Sequence, residues 1–267
     1  MALIEDQRIA VWCNRMEDAK SCIIDAVYMA LKLEKELCLF ANYRTEKQRK
    51  QLQLLVKAYA DTIQKDVPKL DVSRLVIKGN MKNLIRELGE KYNVVMLCCN
   101  CKLNNKLLRL LYQSSFPFYF SKKEDSKNIK FRKILIPVDF RNSTKDATLW
   151  GSYFGRFNQS EIILHTANDK KDEELQNKVN NIVAFVKKFY GQFFFNYWIQ
   201  KGEKGSREIH EDATNLSKEY DLMIFTGSLY VSLSDWLFGP FEKRVVNKAS
   251  TSVLVINPQR EMYVLCN

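Results

Sequence analysis

The chain has 267 residues, of which 46% are hydrophobic and 27% charged, with nine glycines and five prolines. This composition is typical of a globular protein with a buried core, and the few glycines and prolines argue against a long disordered segment. The formal net charge of +11 attracts anions, but the basic residues alternate with acidic ones and no nucleic-acid-binding motif accompanies them, so we expect a solvated basic surface, with nucleic-acid binding as an alternative.

In the first half of the chain, short apolar runs alternate with amphipathic segments of helical period. The predicted strands are Arg8–Asn14, Glu36–Tyr43, Ser73–Gly79, Asn93–Asn100 and Phe116–Ser121. The predicted helices between them are Glu17–Lys35, Thr45–Val67, Asn80–Tyr92 and Asn104–Ser115.

The second half repeats this order of elements. The predicted strands are Arg132–Asp139, Ser160–Ala167, Phe193–Gly202, Asp221–Gly227 and Ser252–Pro258. The predicted helices are Ser143–Phe157, Asp172–Gln192, Ser206–Tyr220 and Phe241–Ala249, and Ser143 and Ser206 are the expected N-caps of two of them.

Alternation of strands and helices predicts parallel sheets with helices on both faces. The two halves superpose at an offset of about 125 residues, which indicates domain duplication. We predict one domain over residues 1–123 and a second over 129–267, joined by the charged linker Lys122–Asn128. The tail Gln259–Asn267 alternates weakly, and its role stays open between an edge strand and a cover for the domain seam.

The seven cysteines show no disulfide framework. Cys98, Cys99 and Cys101 form the densest cluster, but no second pair of ligands stands at a spacing suited to zinc. We therefore interpret them as small apolar residues at a buried strand end. No apolar run approaches the roughly 18 residues of a membrane span, and no secretory signal precedes the first strand. We expect a soluble, cytoplasmic and reduced protein.

The second half begins with the segments "KILIPVDF", "STKDATLWGSYFGRF" and "SEIILHTA" and ends with "DLMIFTGS" and "LSDWLFGPFEKRVVNKASTSVLVI". In this order, the segments resemble a universal stress protein domain. In the first half the resemblance is in the order of elements. The whole chain is therefore similar to a tandem, two-domain universal stress protein.

The resemblance implies two doubly wound domains, each an open five-stranded parallel sheet of the adenine nucleotide alpha hydrolase-like, Rossmann-like type. Members of the family bind ATP or AMP, or bind no nucleotide and act through dimerisation. The last strands of partner domains commonly pair, which here implies that Phe116–Ser121 pairs with Ser252–Asn257 inside the chain. A homodimer and a separate protein partner remain alternatives.

The ligand crevice of such a sheet lies beyond the carboxyl ends of the strands, where the strand order reverses. The resemblance places Asp139 on the adenine side and Ala167 against the base. It places phosphates on a glycine-rich loop patterned G-x2-G-x9-G-[ST], whose bare amides approach the oxygens. The predicted binding residues are Pro137, Val138, Asp139, Ala167, Gly227, Ser228 and Gly239.

The loop departs from the family pattern. Tyr230 stands where the second glycine belongs, Val231 adds further bulk, and Gly239 lies one residue closer to Gly227 than the pattern requires. Pro240 replaces the following Ser or Thr, which removes an amide hydrogen and a hydroxyl, although proline suits a helix start. We predict a degenerate crevice with no bound cofactor, with ATP or AMP as the alternative ligand.

The first domain departs further from the pattern. Asn14 occupies the position of the strand-one aspartate, and no glycine follows strand four, so we expect Asn14, Cys98 and Asn100 to line a collapsed crevice. Of the two histidines, His165 is expected to be structural and His210 to lie on a helix surface. No nucleophile with an activating base is evident. The predicted function is a non-enzymatic stress-response or signalling protein that binds a ligand or a partner, with adenine-nucleotide binding and slow hydrolysis as the alternative.

Overall fold

The computed structural model describes residues 7–14, 19–100, 102–122, 131–228 and 240–258. They form two compact units, one over the described residues up to 122 and one over residues 131–258. The described residues contain ten strands and eight α-helices, and strands and helices alternate along each unit. The predicted fold class is confirmed.

The first unit has a parallel five-stranded sheet in the order β3-β2-β1-β4-β5. Its strands are β1 (Arg8–Trp12), β2 (Glu36–Tyr43), β3 (Val72–Lys78), β4 (Val94–Cys99) and β5 (Phe118–Phe120). Its helices are α1 (Ala19–Lys32), α2 (Glu46–Asp66), α3 (Met81–Glu90) and α4 (Asn105–Gln113). Since crossovers between parallel strands are right-handed, reversal of the strand order at β1 places helices on both faces.

The second unit repeats this topology in the order β8-β7-β6-β9-β10, again with every neighbouring pair parallel. Its strands are β6 (Lys133–Val138), β7 (Glu161–Thr166), β8 (Tyr197–Lys201), β9 (Leu222–Thr226) and β10 (Ser252–Ile256). Its helices are α5 (Thr144–Asn158), α6 (Glu173–Tyr190), α7 (Ile209–Leu216) and α8 (Phe241–Lys248).

Local sequence explains several helix starts. Thr45 caps α2 and forms a capping box, in which its hydroxyl accepts from the Gln48 N–H and the Gln48 side chain accepts from the cap backbone. Asn80 and Asn104 cap α3 and α4 with their side-chain oxygens. Each cap therefore satisfies one or two of the first-turn amides of its helix.

Two predicted boundaries in the second unit are wrong. The strand predicted from Phe193 begins only at Tyr197, and Phe194 is almost fully exposed in the turn that precedes it. The helix predicted from Ser206 begins at Ile209, because the Ser206 N–H and hydroxyl both bond to the carboxylate of Asp169 instead of capping a helix. A three-residue 3-10 turn over Ser217–Glu219 continues α7.

The two central strands of the second unit diverge. Over their described length, β6 pairs with β9 only at Ile134–Leu222 and Leu135–Met223, whereas β6 pairs with β7 along all six of its residues. The carboxyl ends of β6 and β9 are therefore not joined by ladder hydrogen bonds. This divergence opens the point at which the strand order reverses, which is where a doubly wound sheet binds ligands.

Within the part of the chain that the structure describes, no helix combines the length and the hydropathy needed to cross a membrane.

Candidate functional site

A cavity of about 840 Å³ lies at the carboxyl end of the second sheet. Phe140 and Arg141 after β6, and Gly227 and Ser228 after β9, contribute to its wall. The remaining lining residues come from the start of α5 and from α6, and they are Asn142, Ser143, Lys145, Lys178, Asn181 and Ile182. The predicted location of the crevice thus coincides with a cavity in the fold.

The predicted site residues are not all at this cavity. Gly227 and Ser228 line it, while Asp139 is buried next to Arg141. Pro137, Val138 and Ala167 are buried within the sheet and its core, where Ala167 packs with Val179 and Ile209. Gly239, like Tyr230 and Val231, lies outside the described residues.

The carboxylate of Asp139 is fully engaged by its own neighbours. It accepts hydrogen bonds from the Thr144 hydroxyl at 2.6 Å, the Arg141 backbone N–H at 2.9 Å and the Arg141 Nε–H at 2.6 Å. Aspartate commonly accepts from the backbone two residues ahead when it ends a strand and starts a turn. Because Asp139 is only 3% exposed, these bonds compensate the burial of its charge.

The guanidinium of Arg141 bridges the two diverging strands. Its Nη1 donates to the carbonyl oxygen of Gly227 at 3.1 Å, and its Nη2 donates to that of Thr226 at 3.0 Å. Its face lies over the ring of Phe241, 5.2 Å from the centroid. Arg141 therefore takes the place of the missing ladder hydrogen bonds between the ends of β6 and β9, and we call the Asp139–Arg141 pair with its two carbonyl contacts the clasp.

His210 lies beside the clasp, and its predicted place on the surface is wrong. It is 7% exposed and packs edge-on against Phe225 and Phe241. Burial lowers the pKa of His210 to about 4, with Asp139 opposing and Arg141 reinforcing that shift. The imidazole is therefore neutral at pH 7, and its Nε2 accepts from Arg141 Nη2 at 3.3 Å.

The amides that a phosphate would need are also engaged. The N–H of Ser228 donates to the Oε1 of Glu242 at 2.6 Å, and the N–H of Gly227 donates to the carbonyl of Ile256 at 2.9 Å. Glu242 is fully buried in the first turn of α8, where the helix dipole favours a negative charge. An internal carboxylate thus occupies the Ser228 amide.

Pro240 is the N-cap residue of α8, which begins at Phe241. It makes no side-chain capping bond. Since proline carries no N–H, the Glu242 carboxylate faces no donor from Pro240.

Two lysines supply further positive charge to the cavity. Lys178 Nζ pairs with Glu174 at 2.5 Å, and Lys145 Nζ lies 4.7 Å from the ring centroid of Phe185. Both side chains are partly accessible, so they remain able to turn toward an anion.

His165 joins β7 to α7. Its ring is buried, and its Nε2 lies 2.8 Å from the Oδ2 of Asp212. Its Nδ1 finds no hydrogen-bond partner among the residues that the structure describes. Among the described residues, the His165 ring forms no hydrogen bond to a Ser, Thr or Tyr hydroxyl that could act as a nucleophile.

In the first unit the corresponding residues have structural contacts. The Asn14 side chain accepts from the Asn42 N–H at 2.8 Å and donates to the Asn42 carbonyl at 2.6 Å, which joins the end of β1 to β2. Cys98 and Cys99 are buried at the end of β4, and burial raises the pKa of Cys98, so its thiol is protonated at neutral pH. Cys101 lies outside the described residues, and no group of three or more His, Cys, Asp or Glu in the described ranges is arranged to hold a metal ion.

Two side chains of the site were missed by sequence reasoning. Arg141 and Glu242 reach partners 86 and 14 residues away in the chain, respectively. The only local sign of the first is the Asp-x-Arg spacing directly after a strand, and no local sign distinguishes Glu242 from any acidic residue in a helix first turn.

No protein-family model and no curated protein matches this sequence. Solved structures do match: a universal stress protein from Archaeoglobus fulgidus is 12% identical over 96% of this chain and 100% of its own, with a TM-score of 0.70. A functionally unknown protein from Pseudomonas aeruginosa is 14% identical over 96% of this chain and 94% of its own, with a TM-score of 0.68. The cytoplasmic domain of a prokaryotic cation chloride cotransporter is 11% identical over 97% and 98%, with a TM-score of 0.56. The chain therefore has the tandem, two-domain fold of universal stress proteins.

Proposed function

We propose that this chain is a non-enzymatic stress-response or signalling module of the universal stress protein type, which acts by binding a ligand or a protein partner. Its second unit keeps the crevice of the fold, but the polar groups beside that crevice are engaged by the protein's own side chains. The observation that carries the proposal is the buried Glu242 carboxylate, which accepts the Ser228 N–H at 2.6 Å.

Electrostatics explains why this arrangement disfavours nucleotide. A phosphate that approached the Ser228 amide would meet the Glu242 carboxylate, and two anions at close range in a partly buried site repel each other. On the other side of the crevice, Arg141 already neutralises Asp139 and bonds to the β9 carbonyls. Both halves of the crevice are thus satisfied without a ligand.

The alternative is an adenine-nucleotide-binding protein that uses Asp139, Gly227, Ser228 and Gly239. The cavity favours this alternative, because about 840 Å³ lies within the range of small-molecule sites and includes Lys145 and Lys178. In that case an incoming nucleotide would have to displace Arg141 or Glu242.

Calorimetric titration with ATP and AMP, with and without magnesium, separates the two. We expect no saturable binding by the native protein up to millimolar nucleotide. We expect Glu242→Gln, which keeps the hydrogen bond and removes the charge, to bind more tightly than the native chain. The matched control is Glu211→Gln, which removes an exposed acid that pairs with Arg244. Micromolar binding of ATP by the native protein would refute the proposal in favour of the alternative.

We further propose that the two last strands, β5 and β10, pair with each other within one chain. Each stands at one end of its unit's strand order, yet none of their side chains is exposed. An outermost strand with buried side chains needs a cover. Hydrogen exchange should show the amides of both strands protected in a protein that light scattering finds monomeric. Fast exchange, or protection only in a dimer, would contradict internal pairing.

A further inference from the structure

The first unit has a groove between helix α2 and the outer strand β3. The groove has a volume of about 680 Å³. Its lining residues are Lys50, Gln53, Leu54, Val56, Lys57, Arg74, Leu75 and Val76. We call this surface the α2–β3 groove.

One wall of the groove is an open sheet edge. In the described part of the first unit, β3 pairs with β2 on one side and no strand lies on its other side. At the two ends of β3, the carbonyl of Asp71 and the N–H of Gly79 bond to β2. In a parallel ladder, the backbone N–H and C=O groups of successive residues point alternately to the two sides of the strand. The backbone groups of the even-numbered residues of β3 therefore point away from β2. These residues are Val72, Arg74, Val76 and Lys78.

The groove carries positive charge without internal compensation. Lys50, Lys57 and Arg74 line it, and none of the three forms an ion pair with a residue in the described part of the chain. Of the described residues that line it, none is acidic. Lys50 and Lys57 stand two helical turns apart, so their ammonium groups are on one face of α2.

An exposed apolar side chain lies between these charges. Leu54 stands one turn from both Lys50 and Lys57, and 73% of its surface is exposed. On the strand side, Leu75 and Val76 are partly buried apolar residues that line the groove. The groove therefore combines backbone donors and acceptors, an apolar contact and flanking cations.

We propose that the α2–β3 groove binds an acidic, extended segment of a partner protein, which adds to β3 as a further strand. The outward backbone groups of β3 bond to the segment, as in other cases of strand addition. Its carboxylates meet Lys50, Lys57 and Arg74, and an apolar side chain covers Leu54. A nucleic acid fits less well, because no aromatic side chain lines the groove to stack on a base.

The proposal names a partner class for the protein but does not depend on the crevice, since the groove belongs to the first unit. A titration with nucleotide and a titration with peptide can therefore fail independently. The probe is a fluorescein-labelled peptide of about six residues in which glutamate and valine alternate, a length that matches a typical strand. Fluorescence anisotropy with the full chain measures its dissociation constant.

Three comparisons test the mode of binding. The same peptide with a central proline should bind at least about tenfold more weakly, because proline cannot complete a strand ladder. A peptide with lysine in place of glutamate should not bind. The double variant Lys50→Glu/Lys57→Glu should also raise the dissociation constant at least about tenfold. The charge-matched control Lys69→Glu/Lys82→Glu, which changes two exposed residues outside the groove, should leave it unchanged.

A backbone variant tests strand addition directly. Val76→Pro removes an N–H that points away from β2 and leaves the β2 ladder in place, so it should weaken the peptide and preserve the circular dichroism spectrum. If this variant fails to fold, the lysine variant still decides the question. Equal affinity of the native chain and the lysine double variant would overturn the proposal. So would binding of duplex DNA or phosphatidylserine vesicles that is tighter than that of the acidic peptide and equally sensitive to Lys50 and Lys57.

Discussion

Removing Arg141 should destabilise the second unit by about 3 kcal/mol. Arg141→Ala leaves the buried Asp139 carboxylate without its ion pair and removes the donors to the carbonyls of Thr226 and Gly227. Breaking a buried pair by deleting one partner costs about 3–5 kcal/mol. We take the lower end, because the Arg141 side chain is 23% exposed and water can reach part of the site.

Urea denaturation followed by tryptophan fluorescence measures this loss, since Trp150 and Trp198 both lie in the second unit. Arg141→Lys should recover only part of the stability, because an ammonium cannot form the planar, multiple contacts of a guanidinium. The matched control Lys204→Ala deletes one partner of an exposed pair with Glu208 and should cost less than about 0.5 kcal/mol. If Arg141→Ala costs no more than Lys204→Ala, Arg141 does not hold the strands together and the clasp has no energetic meaning.

Three further outcomes are expected. Since burial lowers the pKa of His210 from 6.5 to about 4, the unfolded state binds more protons than the folded state between these pH values. Urea unfolding of the second unit should therefore show full stability above pH 6.5 and a loss of stability toward pH 4, and His210→Phe should flatten this dependence. An equally steep decline in that variant would contradict the assignment. Burial raises the pKa of Asp25 from 3.8 to about 6, so the free-energy cost of keeping its charged form buried increases as the pH rises through 6. Asp25→Asn should therefore stabilise the first unit on the order of 2 kcal/mol more above pH 6 than below pH 3.8. Equal effects of the substitution in denaturant titrations at these two pH values would speak against a buried charge. Gly151→Ala should lower the midpoint of thermal unfolding, because the new Cβ would lie 2.5 Å from Ile136 Cδ1 and 3.0 Å from the Tyr190 hydroxyl. An overpacking cost of about 2 kcal/mol exceeds the gain in helix propensity of about 1 kcal/mol. An unchanged or higher midpoint would show that the surrounding core side chains rearrange to accommodate the methyl group.

The fold could be predicted because its signals are local and repeated. The apolar runs of β4 and β9 are buried at every residue, as expected for central strands of a parallel sheet, and this leaves little ambiguity about their type. The capping box of Thr45 and Gln48 likewise depends on residues three apart. Boundaries failed where a tertiary contact overrode a local preference, as when Asp169 engaged Ser206.

The site could be predicted only in outline. The rule for doubly wound sheets predicts a crevice at the carboxyl ends of β6 and β9, and the residues there line or adjoin a cavity. The side chains that engage the polar groups beside the crevice are not predictable from local sequence, because Arg141 and Glu242 bond to partners 86 and 14 residues away in the chain. The sequence predicts His210 on the surface, because helical period alone does not show which face of α7 meets Phe225 and Phe241.

The divergence of β6 from β9 has a thermodynamic consequence for any molecule that enters between them. A ligand can enter there only after Arg141 leaves its carbonyl partners, so only the minor, open conformation binds it. The observed affinity is therefore the intrinsic affinity multiplied by the fraction of molecules in the open conformation. With an opening cost of about 3 kcal/mol, the reduction amounts to roughly two orders of magnitude. Substitutions that weaken the contacts of Arg141 should therefore lower the free energy of unfolding and raise the observed affinity for a ligand. The least stable variants should bind most tightly.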